Sequence, residues 1–129
     1  MQHIDPNSWK TTLIVIPSSS SNFLEYLELV SCVEKRIEEL QYDDFVQVAS
    51  FHPQYVYEGS STDAVDNWTS RSPYAIIHLL RVSDVSTAIS QYQGNTDKIW
   101  QRNVKTMKRL GSDALHRSMR DILKRASLS

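Results

Sequence analysis

Residues 45–81 read FVQVASFHPQYVYEGSSTDAVDNWTSRSPYAIIHLLR. Two apolar runs, 45–53 and 74–81, enclose a polar stretch, and each run carries one histidine, His52 and His78. Phe45, Val46, Val48, Ala49 and Phe51 occupy both side-chain parities, the pattern of a strand covered on both faces. YAIIHLLR over Tyr74–Arg81 reads the same way, which makes it a further buried strand. Between the runs, residues 54–73 show no helical period. Connections in compact domains are usually ~4–6 residues, and longer irregular ones tend to be functional or disordered. This one is too rich in aromatics to read as disordered.

Working toward the N-terminus, KTTLIVIP over Lys10–Pro17 is another β-branched run of the doubly covered kind, closed by Pro17 and the serines 18–21. Asn22 with Glu25 three positions on gives a helix N-cap and its capping-box partner. Phe23, Leu27, Val30, Val33 or Glu34, Ile37 and Leu40 then repeat at helical spacing, with Glu28, Lys35, Glu38 and Glu39 on the solvated side. Residues 10–53 thus form a β-α-β unit, expected as a right-handed parallel crossover.

Beyond Arg81, Ser83 is expected to cap a short helix with Val85, Ala88, Ile89 and Tyr92. The QGNTD turn leads to a helix bearing Trp100, Val104, Met107 and Leu110, and Gly111 suits a left-handed C-cap. A last helix starts at Ser112, with Leu115, Met119, Ile122 and Ala126 inward and Arg117, Arg120, Lys124 and Arg125 outward. Residues 74–129 are therefore a strand followed by helices. The order β-α-β-β-α-α-α makes an α/β (α+β layered) fold: a small mixed sheet of three to four strands with four helices, ferredoxin-like in one arrangement. Three strands leave an edge that a homodimer or a further strand would cover.

A chain of 129 residues is expected to be one domain, 1–129, with 40% hydrophobic and 22% charged residues, an ordinary globular balance. Cys32 is the single cysteine, which excludes an internal disulfide and a cysteine metal cluster; it reads as a small apolar group on a helix. The first ten residues lack a signal-peptide pattern and no apolar run approaches membrane length, so a cytoplasmic protein with no membrane partner is expected. The net charge of −1 hides an asymmetry. Residues 1–96 hold 5 basic and 12 acidic side chains, and residues 97–129 hold 9 basic and 3 acidic. Nucleic acid is the weaker reading of that basic end, because a polyanion needs a broadly basic surface.

Pro53 ends the ladder after His52 and turns the chain out of the sheet, which sets His52 at a strand end where α/β folds bind ligands. His78 sits mid-strand; paired strands would let both imidazoles face one crevice. Arg71, ahead of Ser72 and Tyr74, offers a planar fork for a carboxylate or phosphate, either of a ligand or of Asp63 or Asp66. Asn67 and Thr69 are expected to bond the backbone and hold the loop.

The pieces VQVASFHPQY, GSSTDAVDNWTSRSPY and HLLR together resemble the domain-of-unknown-function family 1415, found mostly in bacteria. TTLIVIP resembles that family's second strand, and Arg102, Asn103, Leu110 and Gly111 resemble its C-terminal helix. The resemblance runs from about Thr11 to Gly111. The chain departs from the family at Ala64, where paired acids are usual, at Ser70, where Asn is usual, at Ala75, where Pro is common, and at Val82, where Glu is common. Full-length members begin with a Cys-Pro-Phe segment, a strand and a helix, which this sequence does not show. The resemblance implies a site and no particular reaction.

Three readings stay open. A small anionic ligand would be held by Arg71, Arg81, Asn67, Thr69, Ser72 and Tyr74, with His52 and His78 for acid–base catalysis. A metal would be held by His52, His78 and Asp63 or Asp66, although Ala64 weakens that set. A non-catalytic interaction module would use the loop as architecture and the basic last helix as its contact. No Gly-rich phosphate loop, nucleophile elbow or zinc-protease helix is present, and the sequence leaves the cofactor unknown.

Overall fold

The computed structural model describes residues 11–17 and 22–127; Lys10 and the serine run after Pro17, expected to start and end the first strand, lie outside them. The elements run β1 (Thr11–Ile16), α1 (Phe23–Glu39), β2 (Val46–Phe51), a 3-10 helix (Val65–Ser70), β3 (Ala75–Arg81), α2 (Val82–Gln91), α3 (Asp97–Leu110) and α4 (Ser112–Ser127). This is an α+β fold in the expected order β-α-β-β-α-α-α.

The sheet order is β1-β3-β2, and both ladders are antiparallel. β1 and β2 run in the same direction, as a β-α-β crossover requires, but β3 is inserted between them. The parallel pair and the mixed sheet expected from sequence therefore give way to a split β-α-β arrangement, the ferredoxin-like device. β3 returns after a long connection and takes the central place.

Helix α1 begins as its sequence dictates: the Asn22 side-chain oxygen accepts the Glu25 amide at 2.8 Å. It packs one face of the sheet, where Tyr26, Val30, Ala75 and Ile77 form the buried core. Ile16, Phe23, Leu27, Val33, Val48 and Leu79 close around them. Burying a side chain such as Ile77, 2% exposed, contributes about 1.5–3 kcal/mol. Cys32, read as an apolar helix residue, lies on the exposed side of α1.

Among the described residues the other face is only partly covered. Registers place Leu13, His78 and Ala49 in one row and Val15, Ile76 and Phe51 in the next. None of these six is buried, and Leu13 is 56% exposed. The expectation of strands covered on both sides fails here for a specific reason: α3 and α4 pack elsewhere. α3 lies on the 3-10 helix and α4 on α3. In α4, Leu115 and Met119 are half-buried, whereas Ile122 and Ala126, expected inward, are exposed. α2 follows β3 without a break, so Ser83 lies inside it and caps nothing. Among the described residues no helix is long and apolar enough to cross a membrane.

Candidate functional site

The 54–73 segment is folded by its own polar side chains. Asn67 is fully buried; its Oδ1 accepts the Tyr57 amide at 3.0 Å and its Nδ2 donates to the Ser61 carbonyl at 2.8 Å. Thr69 Oγ1 donates to the Asp66 carbonyl at 2.8 Å and meets the Tyr57 hydroxyl, which also bonds Ser70 Oγ. Ser72 Oγ donates to the Tyr74 carbonyl at 2.5 Å. The His52 amide donates to the Ser70 carbonyl at 3.2 Å and pins the two ends of the loop together. Asn67 and Thr69 thus have partners within the loop, and Ser72 has one at its edge.

His52 is 3% exposed, with its ring 5.3 Å from Phe23 and 5.0 Å from Tyr26 under α1. Its Nδ1 accepts the Gln54 amide at 3.0 Å, so that nitrogen is unprotonated. His78 pairs in register with Leu13 and Ala49 on the partly covered face, and its Nε2 bonds the Thr11 hydroxyl. The two imidazoles therefore lie on opposite faces of the sheet. Side-chain parity in the register forbids the shared crevice expected from sequence. The metal reading falls with it: among the described residues no three His, Cys, Asp or Glu side chains gather to hold an ion.

Arg81 closes β3 opposite Val46, about 20 Å along the strand from Ala75, the end at which Arg71 arrives. Arg71 and Arg81 thus do not converge. Arg71 instead works alone. Its Nε donates to the Tyr55 carbonyl at 3.1 Å and its Nη2 to the Thr62 carbonyl at 3.1 Å. The guanidinium carbon sits 4.8 Å from the ring centre of Trp68, within cation–π range. No described carboxylate is in ion-pair contact with it, so the ion pair with Asp63 or Asp66, one of the two alternatives read from sequence, does not form. Burial lowers the pKa of Arg71 from its ordinary value, and the nearby charge of Asp63 acts in the opposite direction. The group stays a cation at neutral pH.

A cleft of 390 Å³ opens beside it. Phe23, Pro53 and Trp68 give it an apolar wall, and Gln54, Thr62, Asp63 and Arg71 come from the loop. Ser112 and His116, one turn apart on α4, close the other side. The His116 ring meets Trp68 edge-on at 4.8 Å. Trp68, Ser112 and His116 were not singled out from sequence. Their signal was there in part: Ser112 and His116 stand at i and i+4 at the start of the last helix, on one face. A larger depression of 520 Å³ lies between α1 and β2, with Glu34, Glu38 and Asp43 against Lys35. It contains no arginine or histidine and none of the expected site residues.

The loop that builds this cleft also carries the distinctive motifs of the chain, and a family model described as a protein of unknown function (DUF1415) matches residues 1–117. The chain belongs to that family. No curated protein and no solved structure matches it. The DUF1415 match spans the sheet, the loop and the first part of α4, so both walls of the cleft fall within it.

Proposed function

We propose that this DUF1415 protein binds a small molecule bearing a carboxylate or phosphate in the cleft between the 54–73 loop and α4, with Arg71 as the anchoring cation. One observation carries the reading. The Arg71 guanidinium is held by two backbone carbonyls and the Trp68 ring, has no carboxylate in ion-pair contact among the described residues, and forms part of the cleft wall. A fork fixed in this way loses little freedom on meeting an oxyanion. The start of α4 at Ser112 adds a favourable end of a sixteen-residue helix to the same cleft.

His52 and His78 have no place in this reading. The imidazole on the cleft wall is His116, which can donate to or accept from a bound ligand. Isothermal titration with acetate and with inorganic phosphate tests the proposal. A charge-assisted bond of about 1.5–3 kcal/mol predicts that Arg71→Ala weakens binding about tenfold or more. Absence of heat with both anions, or affinity unchanged by Arg71→Ala, would overturn it.

A further inference from the structure

We infer that the ligand of this cleft is a zwitterion, an α-amino acid or a molecule with the same paired ammonium and carboxylate, with Arg71 receiving the carboxylate and Asp63 the ammonium. The inference rests on the anion-binding reading above and narrows it to one chemical class. Asp63 and Arg71 line the same cleft, yet they are not in ion-pair contact. Among the described residues the Asp63 carboxylate makes no hydrogen bond; only its backbone amide does, to Ser61 Oγ at 3.4 Å. One cleft thus presents a cation and an anion that are not spent on each other.

The loop holds them in that relation. Arg71 Nη2 is bonded to the carbonyl of Thr62, the residue directly before Asp63, so the arginine itself fixes the backbone from which the carboxylate projects. The charge of Asp63 acts on Arg71 against the effect of burial, which remains the larger of the two. A lone anion set against Arg71 would leave the Asp63 charge uncompensated and repelling it, and a phosphate dianion would suffer most. A neutral ligand with separated charges meets both groups. Phe23, Pro53 and Trp68 supply an apolar wall for a side chain, and 390 Å³ lies in the range of small-molecule sites.

The test uses ligand pairs that differ only by the ammonium: glycine against acetate, and phenylalanine against 3-phenylpropionate. Titration calorimetry is run on the wild-type chain, Asp63→Asn and Arg71→Ala, with a thermal melt to show that each variant is folded. At least one amino acid should bind about fivefold more tightly than its deaminated partner, the scale of one partly solvated charge pair. Asp63→Asn should erase that advantage while leaving the affinity for the simple acid equal or higher. If acids bind as well as amino acids and Asp63→Asn changes nothing, the zwitterion inference is wrong while anion binding stands. If no acid and no amino acid binds, or Arg71→Ala leaves their affinities unchanged, the anion reading itself falls, and this inference with it.

Discussion

The Tyr26 hydroxyl donates to the carbonyl of Ile76 at 2.6 Å, joining α1 to the central strand of the sheet. The same oxygen accepts the Phe51 amide at 2.9 Å. Phe51 and Ile76 are the last pair of the β2–β3 ladder, so a helix side chain relays the final link before the chain leaves the sheet at His52. Replacing Tyr26 by Phe keeps the ring and removes the relay, leaving a donor and an acceptor without that partner. Tyr26→Phe should lower unfolding stability by about 1–3 kcal/mol in urea titration, with little change in slope.

Tyr26 also predicts a pH dependence. Burial raises its pKa above the ordinary 10.0, and the coulombic effect of Tyr55 acts the same way; its bonds with Phe51 and Ser50 oppose both. Above pH 10 the unfolded chain releases this proton while the folded chain keeps it, so stability declines as pH rises through that interval. Its share of stability is complete below pH 10 and lost as pH passes the folded-state value. Denaturation measured from pH 8 to 11 should show a steeper alkaline decline for wild type than for Tyr26→Phe, although the variant is weaker at neutral pH.

Much of the fold was legible because local chemistry and period agree. Asn22, Phe23, Val30 and Ile37 specify α1, and the β-branched runs mark all three strands. The faces were not legible. Leu13 and Val15 read as doubly covered strand residues, but which elements cover a sheet depends on where α2, α3 and α4 go, and that is settled by contacts far apart in sequence. The site divides the same way. Arg71 and the loop carry local signals, whereas the separation of His52 from His78 follows from inter-strand register, and His116 enters only because α4 returns to Trp68.

Asn67 tests whether the loop is built around one amide. Both ends of its side chain are engaged, to Tyr57 and to Ser61, in a fully buried position. Asn67→Asp keeps the shape, deletes the donor to Ser61 and sets two oxygens against each other. A loss of about 3 kcal/mol or more is expected for a charge left buried without its partner. Limited proteolysis should cut first between residues 54 and 73, and anion binding should fall with it.

Gly111 is the C-cap of α3 and joins it to α4 with φ 83° and ψ 153°: the positive φ expected from sequence, with ψ outside the left-handed helical range. A Cβ there would meet no atom within 4 Å, so the cost of Gly111→Ala is one of backbone conformation alone. That region is open almost only to glycine and costs about 1–3 kcal/mol for other residues. The joint also aims Ser112 and His116 at the cleft. Gly111→Ala should therefore weaken ligand binding in calorimetry as well as lower the melting temperature.

Gln41 separates stability from binding. It follows the end of α1 with φ 60°, the only described non-glycine residue with a positive φ. Its amide donates to the Glu38 carbonyl at 2.9 Å and the Tyr42 amide to the Ile37 carbonyl at 2.9 Å, the paired bonds of a Schellman cap. The cap needs a left-handed residue, and a side chain there costs about 1 kcal/mol that glycine does not. Gln41→Gly should raise unfolding stability by up to about that amount in urea titration. Phe23, the residue through which α1 reaches the cleft, lies at the other end of the helix, about 25 Å away. Acetate and amino-acid affinities should accordingly match wild type, so a change in either would mean that the cleft responds to global stability rather than to Arg71 and Asp63.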